Sequence, residues 1–155
     1  MILDRLLLDN FITTSTVMAP KRRLIEAGLF DERRRVSEDF DLWLRMAKRW
    51  KIGYIDHPLI RYRRRAGSMS DDKLKTGLSA LEVIEAFWRN DPDYGRRHPA
   101  LMRKSLGKHL STAGAAASSQ RKLRLALGYL TRSLRYDMGN LDSWKWLVKT
   151  VSPLT

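Results

Sequence analysis

The chain has 155 residues, a hydrophobic fraction of 43% and a formal charge of +13. This is enough apolar material for a folded core, which excludes wholesale disorder. The absence of cysteine excludes disulfides, thiolate zinc sites and cysteine nucleophiles. The basic excess is spread along the chain, with 15 Lys/Arg against 9 Asp/Glu in residues 1–70 and 15 against 8 in residues 71–155. It attracts nucleotide phosphates, nucleic acid or anionic headgroups without choosing among them.

Residues 1–10 hold Asp4, Asp9 and only the short apolar run Leu6-Leu7-Leu8, unlike a signal peptide. No run reaches the length of a membrane span. The expected location is the cytoplasm, with the inner face of a membrane as a peripheral site. Residues 11–18 are rich in β-branched types and read as a strand. Pro20 suits the first turn of a short helix, Leu24 and Ile25 give it an apolar side, and Gly28 ends it. Leu29 to Glu32 form a loop, and Arg33 to Arg35 a solvated basic run. A longer helix begins near Ser37 or Glu38, with Ser37 as cap and acids at the positive end of the dipole. Phe40, Trp43, Leu44, Ala47 and Trp50 share one of its faces, and Asp41 and Arg45 are spaced to pair. Ile52 to Ile55 and Leu59 to Arg63 read as strands on either side of a turn at Pro58. Beyond Asp71-Asp72 the pattern is helical over 73–89, 100–114, 121–136 and 141–151. The breaks are Asn90 to Pro99, the small, flexible stretch Ala115 to Ser119 and Gly139-Asn140. The expected fold is therefore α/β, with a mixed part in residues 1–70 and a helical extension in 71–155.

The stretch Ser37-Glu38-Asp39-Phe40-Asp41 packs three carboxylates into four positions at a helix start. A carboxylate held rigidly at the edge of a cleft can serve as a general base. Acids in a first turn also serve the helix dipole and salt bridges, and taken alone that is their commoner role. Asp41 falls to the structural role through Arg45. Glu38 either supports Asp39 or caps. Trp43 reads as core in preference to a platform for a sugar face.

Around these residues lies an ordered series. It runs from Asn10-Phe11-Ile12 through Arg22-Arg23-Leu24, Ala27-Gly28-Leu29-Phe30-Asp31-Glu32 and Glu38 to Arg45. It continues through Ile52 to Ile55, Pro58-Leu59 and Tyr62-Arg63 to Gly67-Ser68-Met69-Ser70. The series resembles the C-terminal half of the catalytic domain of family 2 glycosyltransferases, inverting enzymes with a GT-A type fold. The resemblance implies an incomplete Rossmann-like segment followed by the α-helical region. It implies transfer of a sugar from a nucleotide-sugar donor to a hydroxyl of a glycan or lipid-linked acceptor, with Asp39 as base and Glu38 in support. It also implies a divalent metal, Mg or Mn, at the diphosphate of the complete enzyme. The family often carries a metal-ligating histidine where this chain has Arg65. Arginine stays protonated and cannot ligate, so no metal ligand is assigned here. Tyr62, Arg63 and Arg65 are instead candidates for contact with the diphosphate, or form a solvated edge. The family's metal-binding Asp-x-Asp belongs to the donor half, and Asp39-Phe40-Asp41 sits too late in the series to be it. The expectation is a C-terminal fragment or split-gene product, with a separate donor-binding half as partner and negligible turnover alone.

Two readings from other classes remain. One is a non-catalytic remnant that pairs with a donor-binding chain. The other is a basic helical module for a membrane surface or nucleic acid, carried by Trp88, Arg96-Arg97, Arg103-Lys104, Tyr129, Arg132, Arg135-Tyr136, Trp144 and Trp146. The leucines between them sit at core spacing, so a helical cap over the α/β part ranks first, an anionic membrane second, and nucleic acid last for want of a recognised motif. His57, His98 and His109 have no metal-ligand spacing and read as surface residues. No P-loop or Gly-x-Gly-x-x-Gly is present.

Overall fold

The structure is a computed structural model, described here for residues 2–61, 68 and 71–152. Every regular element among these residues is helical, and no strand forms. Contacts divide the chain into two units, Met1–Asp71 and Asp72–Thr155.

The expected α/β fold, with its partial GT-A-like, Rossmann-like segment, is therefore corrected. Residues 11–18 contain a 3-10 turn, Thr14–Thr16, flanked by extended backbone at Thr13 and Val17. Residues 51–61 carry no regular structure. β-branched side chains favour extended backbone, but a strand exists only through the ladder it makes with a neighbour. None of these segments pairs with another among the described residues. Tyr62 and Arg63, the end of the last expected strand, lie outside those residues.

Unit 1 contains α1 (Ile2–Leu8), α2 (Lys21–Glu26) and α3 (Glu38–Arg49). Helix α1 was not expected from so short an apolar run. Seven residues do not hold a helix alone, but Leu3, Leu6 and Leu7, at i, i+3 and i+4, are buried and α1 packs on α3. Each buried leucine contributes about 2 kcal/mol. Helix α3 buries Phe40, Leu42, Trp43, Leu44 and Met46.

Ser37 does not cap α3. Its backbone is left-handed at φ 59° and its side chain makes no cap bond. The Phe40 N–H is taken instead by Asp39 Oδ1 at 2.6 Å. Helix α2 ends as a Schellman motif. The Gly28 N–H reaches Ile25 O and the Leu29 N–H reaches Leu24 O, both at 2.9 Å, with Gly28 at φ +88°. Its last carbonyls are held from α3. Arg45 donates to Ala27 O and, at 2.7 Å, to Leu29 O, while Arg49 donates to Glu26 O. Asp41 Oδ2 accepts from Arg45 Nε at 3.0 Å and from its terminal nitrogen at 2.7 Å, which aims the guanidinium at those carbonyls.

Unit 2 contains α4 (Lys73–Asn90), α5 (Pro92–Arg97), α6 (Pro99–Ser119), α7 (Leu123–Tyr136) and α8 (Leu141–Val151). Asp72 caps α4, accepting the Lys75 N–H at 3.0 Å and Gln120 Nε2 at 3.3 Å. The Lys75 hydrogen bond, foremost, holds the Asp72 carboxyl below the usual carboxylate range. The core joins Leu81, Leu110 and Ala113 in one cluster and Leu74, Ala116, Ala117 and Ala126 in another. Helix α6 runs through Ala115–Ser119, where a flexible break was expected. Alanine is the strongest helix former, and Ala116 and Ala117 are buried. The turn after α6 places Arg121 at φ 57°, with its N–H on Ser118 O and the Lys122 N–H on Ala117 O, both at 2.9 Å. A side chain in that left-handed position is strained where glycine is not. Arg121→Gly is expected to stabilise unit 2 by about 0.5–1 kcal/mol in urea unfolding. A loss of stability would contradict this account of the turn.

Candidate functional site

Helix α3 carries Asp39, Trp43, Met46 and Trp50 at i, i+4, i+7 and i+11, which sets them along one stripe. The last three line a groove of about 640 Å³ in unit 1. Phe11, Ile12, Thr16, Val17 and Ile52 to Ile55 line it with them. Asp39 stands one helical turn above Trp43, at the N-terminal end of the groove-lining stripe.

Asp39 is half-buried and doubly fixed. Thr14 Oγ1 donates to Oδ2 at 2.7 Å, and the Phe40 N–H holds Oδ1. Thr14 and Thr16 belong to one 3-10 turn, so the residue that orients the carboxylate and one that lines the groove share a rigid element. Each carboxylate oxygen carries two acceptor directions. One remains on each after these bonds. Glu38 is half-buried and makes no hydrogen bond or ion pair among the described residues. Asp41 is occupied by Arg45.

The groove is aromatic with a basic margin. Trp50 is flanked by the guanidiniums of Arg23 and Arg49, at 4.9 and 5.1 Å from its ring. Lys51 and His57 also line the groove. Trp43 is 3% exposed and packs edge-on against Phe30 at 6.2 Å. Its Nε1–H is buried with no hydrogen-bond partner among the described residues. A buried donor left unsatisfied costs about 1–3 kcal/mol. Nearby, Asp31 accepts Arg33 Nε at 2.9 Å, the second guanidinium nitrogen at 3.0 Å and the Arg33 N–H at 3.1 Å. The guanidinium bonds first, and the backbone bond second, hold its carboxyl at about 2.

The sequence points to Asp39 and Glu38, and both occur together at the start of α3. Tyr62, Arg63 and Arg65 lie outside the described residues. His57 lines the groove, and His109 is buried on α6 where a surface position was expected. Thr14 has no signal in the sequence, because a threonine 25 positions upstream in an expected strand gives no reason to meet Asp39. Among the described residues no three His, Asp or Glu converge to hold a metal ion. The described carboxylates and imidazoles therefore offer no ligand set for a divalent cation.

No protein-family model matches the chain, and no solved structure matches it. Over 82 residues, 53% of its length, it is 30% identical to an uncharacterized glycosyltransferase of Rickettsia typhi. The match covers 24% of that relative, so the chain spans about a quarter of the length of the protein it resembles.

Proposed function

We propose that unit 1 carries the acceptor side of a sugar-transfer site of the family 2 glycosyltransferase type, with Asp39 as general base. The observation that carries the reading is the carboxylate of Asp39, held by Thr14 one helical turn before Trp43, the first of the groove-lining residues on α3. The similarity to a glycosyltransferase and the ordered series from Asn10 to Ser70 support it.

An acceptor bound along the groove presents a hydroxyl to Asp39. Its apolar sugar or lipid faces lie against Trp50 and Tyr54, which line the groove. The hydroxyl oxygen attacks the anomeric carbon of the donor sugar. As that C–O bond forms, the bond from the anomeric carbon to the diphosphate oxygen breaks. The hydroxyl proton passes to Asp39, and the nucleoside diphosphate leaves with the bonding pair. Attack opposite the leaving group inverts the anomeric centre. A hydroxyl is a poor nucleophile unless its proton is accepted during attack, and such base catalysis contributes about 10²–10⁴-fold. Glu38 orients the acceptor. Tyr62, Arg63 and Arg65 are proposed to meet the diphosphate, whose oxygens suit a planar guanidinium. Donor binding, and a Mg or Mn ion where the complete enzyme uses one, fall to residues outside this set, in a longer polypeptide or a second chain.

The test is sugar-nucleotide turnover by the chain joined to its donor-binding part, wild type against Asp39→Asn. Full activity in the variant removes Asp39 from the role. No turnover of any nucleotide sugar by the wild-type assembly removes the reading itself.

A further inference from the structure

Helix α8 is oriented unlike a helix that only closes a bundle. The face it turns inward carries the hydroxyls of Ser143 and Thr150 between the half-buried Trp146 and Leu147. Ser143 is fully buried with Oγ 2.7 Å from Ser133 Oγ, and Thr150 Oγ1 donates to Ser118 Oγ at 2.8 Å. The face it turns outward carries Leu141, Trp144, Val148 and Val151, spaced i, i+3, i+7 and i+10, at 79, 41, 60 and 62% exposed. An amphipathic surface helix normally does the reverse. Met138, also exposed, precedes the stripe, and its carbonyl accepts Trp144 Nε1–H at 3.0 Å. That bond fixes the indole and meets its polar need.

The stripe has a charged flank. Lys145 and Lys149 follow it along one side, and Lys149 lies 4.5 Å over the Trp146 ring. The same flank carries one acid, Asp142, so α8 itself holds two lysines and one aspartate. We propose that the outer face of α8 seats on an anionic lipid bilayer, with the apolar stripe at the headgroup–acyl boundary and the lysines at the level of the phosphates. No helix among the described residues is long and apolar enough to cross a membrane, so the contact is lateral.

Charge complementarity selects this occupant. In a two-fold pairing of two copies through the stripe, each helix offers the single acid Asp142 against Lys145 and Lys149, so the pairing leaves positive charge unmatched. Nucleic acid satisfies the lysines but leaves Leu141, Val148 and Val151 in water. A bilayer meets both components and needs no groove shaped to the helix. The inference does not depend on the transferase reading.

The experiment is co-sedimentation of the 155-residue chain with phosphatidylglycerol–phosphatidylcholine vesicles and with phosphatidylcholine alone. The chain is expected on the anionic vesicles. Leu141→Asp with Val148→Asp, or Lys145→Gln with Lys149→Gln, is expected to weaken that binding by about tenfold or more. These positions are exposed, and circular dichroism checks that the helices persist. Leu141→Gln with Val148→Gln serves if the aspartates disturb α8. Absence of binding to anionic vesicles overturns the proposal, as does equal binding by the stripe variants. A concentration-dependent dimer abolished by the stripe variants assigns the face to a second copy. Salt-sensitive oligonucleotide binding lost in the same variants assigns it to nucleic acid.

Discussion

Asp39→Asn in the assembled transferase is expected to lower kcat by about 10²–10⁴-fold while leaving the KM for the nucleotide sugar little changed. The amide keeps the shape of the carboxylate. Its oxygen still accepts from Thr14 Oγ1 or from the Phe40 N–H, so the start of α3 is preserved. What it loses is the ability to take a proton from the acceptor. The loss therefore falls on the chemical step and not on donor binding. Thr14→Val should cost less, about tenfold, because it frees the carboxylate to rotate without removing it. The two variants together should not multiply, since Thr14 acts only through Asp39. Steady-state kinetics with urea unfolding of each variant separates a catalytic loss from a folding loss. A kcat unchanged in Asp39→Asn returns this carboxylate to the helix dipole.

The largest stability effect is expected at Gly114, where α6 meets α7. A Cβ built there lies 2.7 and 2.9 Å from Leu130 Cγ and Cδ2, and 3.3 Å from the Leu130 backbone nitrogen. Leu130 is fully buried and cannot swing away without opening the core. Gly114→Val should therefore destabilise unit 2 by about 3 kcal/mol. For a unit of this size that corresponds to a fall in Tm of about 15 °C. Adding Leu130→Ala removes the two closest atoms, so the double variant should lose less than the sum of the singles. Strictly additive losses would mean that the helices do not approach at this point.

The helical part of the molecule was legible because leucine periodicity survives any neighbourhood. Leu74, Leu81, Leu130 and Leu134 mark the inward faces of α4 and α7 where the 3.6-residue pattern puts them, while Leu123, expected on the same face of α7, is 50% exposed at its fraying start. Residues 11–18 and 52–55 form no strand because propensity reports a preference for extended backbone, whereas a strand is a property of two segments. Helix α1 escaped notice for the complementary reason: seven residues become helical through packing on α3. At the site, the Asp41–Arg45 pair was legible as a local i, i+4 relation. The second half of what Arg45 does, holding the carbonyls of Ala27 and Leu29, depends on contacts 18 and 16 positions away. Thr14 belongs to the same class of long-range fact.

Because α8 buries only Ser143 and Thr150 fully, with Trp146 and Leu147 half-buried beside them, it can detach at lower cost than α6. The bonds it would give up are few, and water replaces a hydroxyl partner readily. In native-state hydrogen exchange its amides should open by local release and exchange well before those of α6, which open only with the whole unit. A helix that comes away on its own can change partners while the α4–α6–α7 core stays folded behind it.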